Sequence, residues 1–102
     1  MENVSSSVVK QLQSEGNKLL VSYSASWCGP CRMLTPRLDE LSKQYPEFKF
    51  LKVDVDQNRD STVELGITSV PTIMIYDGSN LIDRSNGARP DSYYKEFLDK
   101  IK

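Results

Sequence analysis

The spacing of apolar residues in this chain switches repeatedly between a period of about 3.6 and a period of about 2, which confines it to helices layered on a sheet. A helix is expected first: Ser5 to Ser7 offer N-caps, Val8, Val9 and Leu12 form one face, and Gly16-Asn17 supply a stop. LLVSYSAS at 19–26 reads as a strand. Cys28 to Tyr45 carries Met33, Leu34, Leu38 and Leu41 at helical spacing, and Pro36 within it predicts a kink rather than an end, because it removes one hydrogen bond. FKFLKVDV at 48–55 is β-rich and apolar enough for a central strand, and 56–66 fits a short helix with Asn58 or Asp60 as cap and Gly66 as stop. TIMIY at 72–76, the turn Asp77-Gly78 and the segment Leu81 to Arg84 form an antiparallel hairpin. The last helix runs from about Pro90 to Ile101, with Tyr94, Phe97, Leu98 and Ile101 as its buried stripe. The order αβαβαββα predicts one α/β domain over residues 1–102. Its mixed sheet has four to five strands, the early ones joined by right-handed crossovers, with about four helices over both faces.

A chain of 102 residues buries roughly two thirds of its unfolded surface, so folding requires no disulfide staple. Thirteen basic residues stand against fourteen acidic ones without a long run of either sign, which argues against a nucleic-acid partner. No apolar run approaches the roughly 20 residues of a membrane span, and the N-terminus lacks the basic start and apolar centre of a secretion signal. A cytoplasmic protein without a membrane partner is expected. There is no histidine, which excludes Cys-His and Ser-His nucleophilic catalysis and a Cys₂His₂ zinc site.

Both cysteines fall in Trp27-Cys28-Gly29-Pro30-Cys31. Half of a metal site, a structural disulfide and a cycling redox pair compete for them. A closed metal site lacks two ligands, so none is expected. A disulfide closing so short a loop removes little unfolded-state entropy, and a reducing cytosol would open it. Cycling is the reading left standing. The strand before Cys28 and the helix after it deliver the pair to the carboxyl edge of the sheet, where α/β folds place their sites. With Cys28 as N-cap, the free N–H groups and the positive end of the helix dipole stabilise a thiolate, lowering its pKa from roughly 8.5 toward neutrality. Helical residues three apart have Cβ atoms about 5 to 6 Å apart, so a modest adjustment brings Cys31 within bonding reach of Cys28. Gly29 leaves room for a substrate backbone, Pro30 stiffens the first turn, and Arg32 adds positive charge. Trp27 is either an ordinary half-buried core aromatic or, being next to Cys28, part of a recognition surface.

The combination of WCGPC on a strand-to-helix turn, Pro36, Lys52-Val53-Asp54-Val55-Asp56 and Gly66-Ile67-Thr68-Ser69-Val70-Pro71-Thr72 resembles the thioredoxin family, with similarity from about residue 5 to 101. The resemblance implies the thioredoxin fold and a protein-disulfide reductase active in electron transport and cell redox homeostasis. It implies no bound cofactor, since electrons come from NADPH through a thioredoxin reductase to disulfides in target proteins. It further implies a monomer, with a weak dimer through the Trp27 face as the alternative. Cys28 resembles the attacking cysteine and Cys31 the resolving one. Pro71 resembles the cis-proline against the pair, Val70 the residue whose backbone pairs with substrate, and Gly87-Ala88 the loop completing the docking surface beside Trp27. Thr68, Ser69 and Gly87 are either such contacts or ordinary turn residues.

Three positions depart from the family pattern. Ser22, six residues before Cys28, replaces a buried aspartate; Ser24 replaces a second tryptophan; Ser26 replaces an acidic residue. A serine cannot take up a proton at neutral pH, and Lys52 loses its carboxylate partner. A lower Cys28 pKa and a weaker reductant are therefore expected, with Asp54 or Asp56 as substitute base and a solvated strand end as the alternative for Asp56. The Ser22 change also keeps a disulfide oxidase or isomerase open, against which Gly29-Pro30 argues. A non-catalytic binding module using the apolar patch around Trp27 and Val70 is the third alternative.

Overall fold

The computed structural model describes all of residues 1–102. Its elements are β1 (Glu2–Asn3), α1 (Ser6–Ser14), β2 (Lys18–Ser24), α2 (Gly29–Ser42), β3 (Phe48–Asp54), α3 (Arg59–Glu64), β4 (Thr72–Asp77), β5 (Asn80–Asn86) and α4 (Asp91–Ile101). The five strands form one mixed sheet in the order β1-β3-β2-β4-β5. β3 runs parallel to both β1 and β2, whereas β4 is antiparallel to β2 and to β5.

The two-residue period of the strands sorts the core into two layers. Leu20, Phe50, Ile73 and Ile75 pack against Leu34, Leu38 and Leu41 of α2 and Tyr94 and Leu98 of α4. On the opposite face Leu19, Val21, Leu51, Val53 and Met74 join Val9 of α1 and Ile67 beyond α3. Helices thus cover both sides of the sheet, as the alternating pattern predicts. The β4–β5 turn passes through Gly78 at φ 61°, and a Cβ there would stand 3.6 Å from the backbone of Gly16. No helix is long and apolar enough to cross a membrane.

The departures are local. β1 is not expected from the sequence; its two residues are exposed and too few to carry a period. Met33, expected on the buried face of α2, is 76% exposed, and Val8, expected beside Val9, is 40% exposed. Each sits next to a buried residue, about 100° around the helix from it, so only one of the pair faces the core. Helix α2 runs on through Pro36 but stops at Ser42, and Tyr45 turns back into the core edge-on to Phe48. Asn58 does sit at the N-cap of α3, yet its side chain caps nothing there; its Oδ1 accepts from the Ser6 N–H at 2.9 Å and joins the two helices of that face.

Candidate active site

The chain leaves β2 at Ser24, turns through Ala25 to Trp27, and enters α2 with Cys28 as N-cap in extended conformation (φ −92°, ψ 109°). Cys28 and Cys31 are joined by a disulfide with Cα atoms 5.3 Å apart. The Cys28 Sγ also accepts from the Cys31 N–H at 3.2 Å. This is the first-turn geometry the spacing predicts, with Pro30 at a position where its missing N–H is not needed. Both cysteines are buried, packed with Ala25 against Val55 and Val70.

Across from the pair lies the segment before β4. The Cys28 Sγ stands 3.7 Å from the Val70 carbonyl oxygen, and the Val70–Pro71 peptide is cis. Pro71 is buried and Val70 half-buried, while Thr68 and Ser69 lie exposed before them. The Gly87 N–H donates to the Pro71 carbonyl at 2.8 Å, from a backbone at φ 75° that favours glycine, and this bond brings the turn after β5, with exposed Ala88, to the same edge. Trp27 is 65% exposed, which removes it from the core, and its indole N–H donates to Asp56 Oδ2 at 2.9 Å. Asp56 is thus more than a solvated strand end. Parallel pairing of β2 with β3 brings the residues following both strands to one edge, and that register is the signal that joins Trp27 to Asp56. Gly29 and Pro30 complete the exposed rim.

A second, polar side of the site lies on the sheet face that α2 covers. Ser22 pairs with Lys52 and Ser24 with Asp54 in the β2–β3 register, where a continued core would place apolar residues. Both serines are buried; Lys52 is half-buried and enters no ion pair. Asp54 Oδ1 accepts from the N–H groups of Asp56 at 2.8 Å and Gln57 at 3.3 Å. Between these strands and α2 opens a cleft of about 670 Å³, whose walls include Ser24, Ser26, Cys31, Arg32, Lys52 and Asp54. Ser22 lies deeper along β2 and does not line it. Of the two candidate bases, Asp54 shares this cleft with Cys31, whereas Asp56 is engaged by Trp27.

Comparison with known proteins gives a consistent picture. The sequence model of the Thioredoxin family matches residues 2–100. The chain is 36% identical over 90 residues to mitochondrial thioredoxin-3 of Saccharomyces cerevisiae, covering 88% of this chain and 71% of that one. It is 41% identical over 83 residues to a Synechocystis thioredoxin, covering 80% and 78%. The fold superposes on the crystal structure of Fasciola hepatica thioredoxin with a TM-score of 0.88 at 32% identity, covering 100% of both chains.

Proposed function

Because this chain belongs to the thioredoxin family and is a thiol-disulfide oxidoreductase, we propose that it works as a reductase of disulfides in other proteins. The observation that carries this reading is the Cys28 sulfur at the start of α2, bonded to Cys31 and facing the Cys31 N–H at 3.2 Å. Once the pair is reduced, that N–H and the helix dipole favour a thiolate on Cys28 over one on Cys31. The Cys28 thiolate attacks one sulfur of the target disulfide and forms a mixed disulfide, expelling the other target sulfur as thiolate. Cys31 then loses its proton and attacks Cys28 Sγ, which restores the internal disulfide and releases the reduced target. Trp27, Gly29, Pro30, Val70 and Pro71 form the surface on which the target docks, and Thr68, Ser69, Gly87 and Ala88 form its margin. NADPH recharges the pair through a thioredoxin reductase, and the chain acts as a monomer in the cytoplasm.

The test is reduction of insulin with dithiothreitol as electron source. The chain is expected to accelerate precipitation of the insulin B chain well above background, and Cys28→Ser to return it to background. A background rate for the unaltered chain would leave only a binding module. The reduction potential against glutathione separates reductase from oxidase.

Ser22 and Lys52 tune the pair in this reading. A carboxylate at position 22 would oppose ionisation of Cys28, as one negative charge opposes another nearby. Ser22→Asp is therefore expected to raise the Cys28 pKa by about one unit, which favours the disulfide and lowers the potential by roughly 30 mV. The pH dependence of alkylation measures this, and an unchanged or lowered pKa would refute the role.

A further inference from the structure

We propose that the cleft beneath the start of α2 is a second entrance to the disulfide, taken by a small anionic thiol of the glutathione type, which reacts at Cys31. The proposal rests on the reading that the pair cycles and adds a route for electrons that bypasses the protein-docking rim.

Three observations point there. First, the two cysteines have different neighbours: Cys31 is one of the residues of the cleft wall and Cys28 is not, its Sγ lying 3.7 Å from the Val70 carbonyl oxygen. Second, the cleft is electropositive. Arg32 and Lys52 both line it, and neither side chain enters an ion pair or hydrogen bond. Its one carboxylate, Asp54, is occupied by two backbone N–H groups. Third, the volume of about 670 Å³ falls within the roughly 300–1,000 Å³ of small-molecule sites. Apolar side chains reach it only from Val4, Ala25 and Pro36, which suits a hydrated peptide-like ligand and not an apolar protein surface. The small side chains of Ser24 and Ser26 keep it open. A tripeptide thiol with two carboxylates matches the two cations and presents a sulfur to the wall that holds Cys31.

The exchange balances without another reagent. The small thiolate attacks Cys31 Sγ, a bond forms between ligand sulfur and Cys31, and the Cys28–Cys31 bond breaks. The electron pair leaves on Cys28, where the Cys31 N–H receives the charge. A second small thiolate attacks the ligand sulfur of the adduct, releasing the oxidised small disulfide and a Cys31 thiolate. Two thiolates are oxidised and one protein disulfide is reduced.

The test follows the loss of the disulfide in the oxidised chain, by alkylation and mass spectrometry, with reduced glutathione or neutral 2-mercaptoethanol at equal thiolate concentration. Glutathione is expected to react about tenfold faster, the low end of what a focused field contributes, with saturation as its concentration rises and loss of the advantage at high salt. Ser24→Trp fills the cleft, and Ser26→Glu, at an exposed position, cancels the excess positive charge that Arg32 and Lys52 hold over Asp54. Both are expected to bring the ratio of the glutathione rate to the 2-mercaptoethanol rate, measured within the same variant, down to about one. Equal rates for the two thiols, or an advantage that survives Ser26→Glu, would overturn the proposal and leave the insulin result standing. Failure of insulin reduction in the unaltered chain strikes the protein-reductase reading instead.

Discussion

Serine in place of Cys31 is expected to turn turnover into capture. In the proposed cycle Cys28 attacks first, and the covalent intermediate is resolved only because a second thiol is held within one helical turn, 5.3 Å away between Cα atoms. Well-oriented intramolecular groups act at effective concentrations of about 10⁵ M or more. Millimolar dithiothreitol replaces them poorly, so insulin reduction should fall by at least about a thousandfold. The mixed disulfide should then accumulate as a species of added mass on non-reducing gels, cleared by excess reductant. Cys28→Ser should trap no protein, because Cys31 lies one turn further into α2, whereas Cys28 stands at the helix start against Val70, where a target docks. A Cys31→Ser chain that turns over normally, or capture of target by Cys28→Ser, would reverse the assigned roles.

The second large effect is on stability and separates neighbours on one helix. Leu38 is fully buried in the layer between α2, α4 and the sheet, so Leu38→Ala is expected to cost about 2–5 kcal/mol. At roughly 4–8 °C per kcal/mol for a domain of this size, Tm should fall by at least about 8 °C. That is a large share of the roughly 5–15 kcal/mol that holds a domain folded. Met33→Ala on the exposed side of α2 should stay within about 0.5 kcal/mol. Urea denaturation of the two variants measures the difference, and equal losses would contradict the packing.

The fold was legible because its core elements are long enough to show their period. Leu34, Leu38 and Leu41 mark one stripe of α2, and the apolar strands before and after it leave few alternatives to a sandwiched sheet. What escaped depends on pairing across the sheet. β1 is specified by its register with Leu51 and Lys52 and by nothing in its own two residues. The misplacement of Met33 has a different cause, since hydrophobicity alone does not say which of two adjacent helical residues turns inward. At the site, the cysteines, Pro30 and the N-cap role were readable because they are adjacent in sequence. The Trp27–Asp56 bond and the cleft were not, because they arise only when the turns after two parallel strands meet. The serines at 22 and 24 did carry a signal: they interrupt the apolar face that Leu20 begins.

The disulfide joins residues three apart within a single turn and ties no strand to another. Breaking it therefore severs no covalent link between strands, and the sheet is held by its own pairings and by the two packed layers on its faces.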